Sequence, residues 1–421
     1  MRLIRTTGRS SKQAGALLAQ IERRGGTSLD TVLPAVRKIL GEVRQRGDAA
    51  LIRLAVKFDS LERSQSLRIS LEETAKAWRD LDPSLQRALE TAAANIRAFA
   101  ERQLPKSWQS SPLKGLTTGQ LVRPLDSVGC YVPGGRHPLP STMLMTVIPA
   151  QVAGVHRIVV ASPRPAAETL ATAHLLGITE FYRIGGSHAI AALAYGTESI
   201  PRVAKIVGPG NLYVTAAKRE VAFDCAIDML AGPTEIVITS DLGNPASIAA
   251  DLIAQAEHDP EALAIFITTK ESLAREVIAE TKQRSRQNPV ARQALANNGY
   301  VFLAATSEEA QAITNRLAPE HLTVDSEADL AWVRNAGSVF IGQHSPQPMG
   351  DYISGPNHTL PTGSMASVRG GLSVNDFVKL ITVQQYTAQG LARLGPHAIR
   401  LADAEGLIGH AEAIRTRIGR K

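Results

Sequence analysis

The residues of this chain that could do chemistry gather in a few short polar stretches. Gln255-Ala-Glu-His258 sets an amide and an imidazole three residues apart, and on a helix that spacing projects both from one face. Two metal ligands carried by one helix need such a spacing. A solvated or C-capping helix end has it more often, so the pair alone decides nothing. Ala318-Pro-Glu320-His321 puts a carboxylate beside an imidazole whose ordinary pKa suits a base near neutrality. The same two residues also describe a loop acid next to a structural histidine. Gly350-Asp351-Tyr352 adds a hard oxygen ligand, and Gly355-Pro-Asn-His358 adds another imidazole. Glu405 and His410 lie five residues apart, not quite on one helical face. Gln255, His258, Asp351 and His410 together would form a nitrogen and oxygen set without thiolate, suited to zinc and also to cobalt or manganese.

Three glycine-containing loops follow predicted strands: Val132-Pro-Gly-Gly-Arg136, Ile184-Gly-Gly-Ser-His188 and Val207-Gly-Pro-Gly-Asn211. Glycines let backbone amides approach a pyrophosphate, and helix N-termini favour its charge. Each loop singly is a plain turn; three at successive strand ends point to a ligand site. None matches the GxGxxG fingerprint with an acid about twenty residues on. Ligands of open α/β sheets sit beyond the carboxyl ends of the strands, and that is where the site is expected.

The elements that must position these residues follow from periodicity. An amphipathic helix over Ser10–Gly25 precedes a Gly-Gly break and reads as an arm. Residues 29–104 are predicted helical, with Val32, Val36, Ile39, Leu40 and Val43 in helical register. Asp48 is expected to cap a restarted helix after Gly47, and Asp82-Pro83 to start another. From Leu125 strands and helices alternate. Val128–Val132, Arg157–Ala161, Phe181–Ile184 and Lys205–Val207 form one strand series. Glu235–Thr239, Leu263–Thr268, Tyr300–Leu303 and Ser338–Ile341 form another. Helices are expected at 141–153, 166–176, 188–195, 245–257, 272–283, 307–317 and 330–335. Such alternation argues for two parallel sheets covered by helices. Residues 342–372 form a long Gly/Pro/Ser/Thr-rich loop, usually a functional one. Val374–Val383 and Leu391–Ile418 return to helix.

The chain has 421 residues, which suggests two or three domains at about 150 residues each. It is 44% hydrophobic and 20% charged, as ordinary soluble proteins are, with a net charge of +7. The positive charge is diffuse and not interleaved with aromatics, which disfavours a nucleic-acid partner. Cys130 and Cys225 form no disulfide framework, so a reducing cytoplasm is expected. No secretory h-region and no apolar run long enough to span a membrane is visible.

As a set, these stretches resemble the histidinol dehydrogenase family. The resemblance rests on Arg46-Gly-Asp-Ala-Ala-Leu51 with Lys57-Phe-Asp59, Tyr131-Val-Pro-Gly-Gly135, Pro140-Ser-Thr142 and Lys205-Ile-Val-Gly-Pro-Gly-Asn211. It continues through Ala231-Gly-Pro-Thr-Glu235, Gln255–His258, Ala318–His321, Gly350–Tyr352, Asn357–Thr362 and Ser373–Phe377, in family order across nearly the whole chain. It implies an α/β fold of two incomplete Rossmann-like, doubly wound parallel-sheet units with a helical N-terminal arm (1–24) and a helical C-terminal tail (373–421). The first unit would comprise 25–124 plus 231–372 with the catalytic pair and most metal ligands, the second 125–230 with NAD.

The resemblance further implies zinc-dependent oxidation of L-histidinol through L-histidinal to L-histidine with two NAD, in a homodimer whose tail reaches the partner's site. By residue, it implies Gln255, His258, Asp351 and His410 as zinc ligands, and Glu320 and His321 as the catalytic pair. Tyr131, His188 and Asn211 would contact NAD. Thr234, His358 and Glu405 would contact substrate, together with His321 and the metal ligands. Two departures stand out: His188 occupies a position where the family has Gln, and Thr234 one where it often has Ser. A rival mechanism would run aldehyde oxidation through a Cys130 thiohemiacetal.

Overall fold

Segments such as Leu263-Ala-Ile-Phe-Ile-Thr268 are buried at every position, which suits strands covered on both faces. A computed structural model describes residues 1–23, 29–62, 64–134 and 138–418. The Gly25-Gly26 break and Gly135-Arg136 of the first glycine loop lie outside the described residues. In chain order the strands are β1 (Arg2–Arg5), β2 (Trp108–Leu113), β3 (Leu116–Pro124), β4 (Ser127–Tyr131), β5 (Arg157–Ala161), β6 (Glu180–Tyr182) and β7 (Lys205–Val207). They continue with β8 (Ala226–Ile227), β9 (Glu235–Thr239), β10 (Leu263–Thr268), β11 (Gly299–Leu303), β12 (His321–Val324), β13 (Ser338–Ile341) and β14 (Val378–Tyr386). Two parallel sheets result, in the orders β1-β11-β10-β9-β12-β13 and β6-β5-β4-β7-β8, with a separate antiparallel sheet β14-β3-β2. The expected two α/β units are both present.

Three expectations are corrected. The N-terminal arm joins the six-stranded sheet: β1 pairs with β11 in parallel, and Leu18 and Ile21 of the helix Ser11–Glu22 pack with Ile313 and Leu317. Residues 33–103 cover the five-stranded sheet rather than the six-stranded one. The helix Leu33–Phe58 puts Val36, Leu40, Leu51 and Leu54 into one core with Ile190, Leu193 and Val214. Each such buried aliphatic side chain contributes about 1.5–3 kcal/mol relative to exposure. The tail begins with a strand, not a helix, because Val378–Tyr386 pairs along its length with β3, and only then come the helices Ala388–Ala404 and Ile408–Ile418.

Local signals explain the joints. Asn244 Oδ1 accepts from the Ala246 and Ser247 amides at 2.9 and 3.3 Å, with Pro245 at the first position of the helix Pro245–Ala256. Gly47 kinks its helix at φ +49, where a Cβ would sit 2.2 Å from a Glu198 carboxylate oxygen. Asp48 does not cap with its side chain; Glu198 accepts its amide at 2.7 Å, and Asp48 accepts from Ser199 Oγ at 2.9 Å.

Candidate active site

β9 and β12 are neighbours in register, His321 beside Ile236 and Leu322 beside Val237. Their entries therefore bring Thr234, Glu235, Glu320 and His321 together at the amino edge of the six-stranded sheet. This is the opposite edge from the one expected for an open α/β sheet. At its carboxyl edge the crevice is a small cavity of about 80 Å³. There Asp241 accepts from Thr268 and Thr269, and Asp325 accepts from Ser240 and the Asp241 amide.

At the amino edge the polar groups form a continuous web. Glu320 Oε2 accepts from Thr234 Oγ1 at 2.5 Å and from the Glu235 amide at 2.8 Å. Gln255 Nε2 donates to Thr234 Oγ1, and Gln255 is buried with its carbonyl oxygen unpartnered. His321 is buried and stacks on Phe340. Its Nδ1 lies 3.1 Å from the Glu235 carbonyl oxygen. A carbonyl only accepts, so Nδ1 carries a proton. Nε2 faces Asp351 Oδ1 at 3.7 Å, while Glu320 Oε2 is 3.6 Å from Nδ1. Burial alone would favour a neutral ring, but the Glu320 and Asp351 carboxylates outweigh it and push its pKa up to about 10. Asp351 is held below the usual carboxylate range: burial opposes ionisation, but His321 and the Gln347 amide at 2.8 Å overcome it.

His358 completes this side. Its Nδ1 donates to the Asp351 carbonyl at 2.8 Å, which leaves Nε2 to accept from Thr142 Oγ1 at 3.4 Å. Burial pushes its pKa down, so the ring is neutral. His321 and His358 both line a cavity of about 260 Å³. A cation held at Asp351 and the free Gln255 oxygen would offset the Asp351 charge, and His321 Nε2 could then take a proton from a hydroxyl.

His258 does not share a helical face with Gln255. The helix ends at Ala256, and His258 sits in the following turn, exposed. Glu405 and His410 are exposed too, separated by a break at Gly406 (φ +73), and their side chains make no hydrogen bond or ion pair among the described residues. No group of three or more His, Cys, Asp and Glu side chains stands close enough to hold a metal among the described residues. The donors nonetheless fit a hard or borderline cation, since a buried amide oxygen without a partner is costly unless something coordinates it.

A second cavity, of about 550 Å³, opens at the carboxyl ends of β4, β6 and β7 and is lined by Tyr131, His188 and Asn211 together with Phe58. This sheet follows the expected rule, and the volume suits a cofactor-sized ligand. His188 is buried, its Nε2 2.7 Å from Asp59 Oδ2, and it stacks on Phe58. Burial pushes the Tyr131 hydroxyl up to about 12; it accepts from the Gly186 amide at 3.1 Å. Asn211 Oδ1 caps the helix Leu212–Val221 through the Tyr213 and Val214 amides, so its amide nitrogen is the part that can meet a ligand. Thr142, on the helix that follows β4, reaches His358.

The family model of histidinol dehydrogenase matches residues 22–418. The chain belongs to the histidinol dehydrogenase family. It is 44% identical over 414 residues to a histidinol dehydrogenase of Methanothermobacter thermautotrophicus, covering 95% of this chain and 97% of the relative. It is 46% identical over 401 residues to that of Bacillus thuringiensis subsp. konkukian, covering 93% of each. The crystal structure of histidinol dehydrogenase from Elizabethkingia anophelis superposes with a TM-score of 0.93 at 34% identity, covering 99% of this chain and 98% of that one.

In this core the thiohemiacetal route fails on geometry. Cys130 is fully buried among Met143, Ile148 and Phe181, and burial pushes its thiol up to about 12. A thiolate is the nucleophile, and none is available there. Cys130→Ser is expected to retain both oxidation steps, with NADH yield per substrate unchanged and only stability reduced. Loss of the second step alone would restore the thiol route. Sequence reasoning assigned no role to Asp59, Gln347 or Thr142 as side chains. Asp59 and Thr142 stand inside family stretches; Gln347, three residues before Gly350, carries no local signal.

Proposed function

We propose that this chain oxidises L-histidinol to L-histidinal and then to L-histidine, giving one hydride to NAD in each step. One observation carries the reading: a buried imidazole that lines a cavity, with Nδ1 fixed on a backbone carbonyl and Nε2 3.7 Å from Asp351 Oδ1. In the first step Nε2 of His321 takes the hydroxyl proton as the carbinol hydride leaves. The aldehyde then adds water. Glu320, with Oε2 already fixed by Thr234 and the Glu235 amide, orients that water and takes its proton. His321 serves again when the hydrate gives up the second hydride. His358, neutral and held by Asp351 and Thr142, offers its ring edge to the substrate.

Gln255, His258 and Asp351 would hold zinc with His410 of the partner subunit. Bound there, zinc would orient the substrate's imidazole and amine and draw off the Asp351 charge that favours protonated His321. The homodimer is supported by the exposure of Glu405 and His410 beside exposed Leu401, Leu407 and Ile408, a surface that a second copy would cover. Tyr131, His188 and Asn211 would meet NAD in the larger cavity. Neither nucleic acid nor membrane is required; no described helix is long and apolar enough to cross a membrane. A cytoplasmic setting suits two free buried cysteines.

The test is NAD reduction with L-histidinol beside a panel of small polar alcohols, including a sulfonated propanediol. L-Histidinol is expected to give the highest kcat/KM. Preference for another alcohol would move the chain to a different substrate within the same fold.

A further inference from the structure

The cofactor cavity poses an electrostatic problem. A dinucleotide carries a diphosphate, and glycine loops at helix N-termini ordinarily cradle it with backbone amides. Here three of those donors already have partners inside the protein. The Gly185 amide donates to Asp59 Oδ2 at 2.9 Å and the Gly186 amide to the Tyr131 hydroxyl at 3.1 Å. The Gly208 amide donates to Asp228 Oδ2 at 2.8 Å. Gly208 packs closely under Tyr131: at φ +115, a Cβ there would run into the Tyr131 carbonyl. The nearby basic side chains are engaged as well. Lys218 pairs with Asp228 and donates to the Gly208 carbonyl at 3.0 Å, and His188 is held by Asp59.

One cation is left. Arg164 is the only Lys or Arg among the described residues lining the cavity, and its side chain has no hydrogen bond or ion pair among the described residues. It also lines an adjoining cavity of about 310 Å³ with Asp59, Ser60 and Arg183. The backbone there is strained. Four described non-glycine residues have φ in the left-handed region: Ser60, Arg164, Ala318 and Ser364. Ala318 leads into Glu320 and His321, and Ser364 follows Gly363, whose amide binds Glu235. The other two flank this second cavity, and strain of this kind gathers at functional sites.

We propose that Arg164 is the residue that recognises the cofactor's diphosphate, in place of the engaged Gly185, Gly186 and Gly208 amides. The assignment rests on the reading of the larger cavity as the NAD site. A guanidinium offers paired donors matched to phosphate oxygens, and Arg164 stands where the two cavities meet, so a ligand extending from one into the other passes it.

The test is calorimetric titration of the full-length protein with NAD, ADP and adenosine, alongside steady-state kinetics. Arg164→Asn removes the charge while tolerating left-handed φ. It is expected to weaken NAD and ADP by about 10- to 100-fold, to leave adenosine nearly unchanged, and to raise the KM for NAD far more than it lowers kcat. Arg164→Lys should recover part of the loss. Ala35→Trp, at an exposed position lining the cavity mouth, should weaken all three ligands. If Arg164→Asn leaves the preference for ADP over adenosine intact while Ala35→Trp weakens NAD, the diphosphate assignment is overturned and the cavity reading stands. If Ala35→Trp does not weaken NAD, the cavity reading falls and takes the assignment with it.

Discussion

His321→Asn is expected to lower kcat for L-histidinol oxidation by about 10²- to 10⁴-fold, the range for removing a positioned general base. Asn keeps a donor for the Glu235 carbonyl that now accepts from Nδ1, so the site should stay assembled. What is lost is Nε2, the one nitrogen of the ring that can take a proton once Nδ1 is committed and a bound cation has offset the Asp351 charge. Both hydride steps use that atom, so the rate should fall equally with L-histidinol and with L-histidinal. The KM for NAD should move little, because the cofactor cavity is built from different elements. Near-normal turnover by this variant would remove His321 from the chemistry.

Glu320→Gln should separate the two steps. The glutamine oxygen can still accept from Thr234 and from the Glu235 amide, so the web should survive with a stability change within about 1 kcal/mol. The carboxylate needed to deprotonate water is gone. Turnover of L-histidinal should fall by about 10²- to 10⁴-fold and that of L-histidinol to the aldehyde by much less. NADH yield per histidinol should drop from two toward one as aldehyde accumulates. Equal losses in both steps would mean that Glu320 acts only by supporting His321. Glu320→Ala is a poorer probe, because it strands the Thr234 hydroxyl and the Glu235 amide, at about 1–3 kcal/mol for each buried group.

The elements were most legible where local pattern and burial agree. Glu235–Thr239, Leu263–Thr268, Ser307–Leu317 and Ser338–Ile341 end where their apolar runs and caps end. They failed where the decisive partner is distant. Val378–Tyr386 has an apolar run that fits a helix, and it is a strand because β3 lies alongside it. Its side chains are largely exposed, so no buried face marked it in sequence. The helix Leu33–Phe58 shows its apolar face plainly, yet nothing local says which sheet that face will cover.

The site shows the same division. Residue types and motifs pointed to Glu320, His321, Asp351, His358 and Gln255, and the fold links them in one web. They did not reveal that the web lies at the amino edge of its sheet, which depends on the in-register pairing of β9 with β12. The helical spacing of Gln255 and His258 misled, because the helix ends between them. The loops after β6 and β7 follow the carboxyl ends of their strands, but the Gly185, Gly186 and Gly208 amides are occupied by Asp59, Tyr131 and Asp228, contacts that only folding creates.

The most direct measurement is NADH produced per L-histidinol by the full-length protein, with and without a zinc chelator. The proposed chemistry requires two NADH with L-histidine as the final product, and loss of activity on chelation that added zinc restores. One NADH with L-histidinal as the end product, or full activity in the metal-stripped protein, would contradict it.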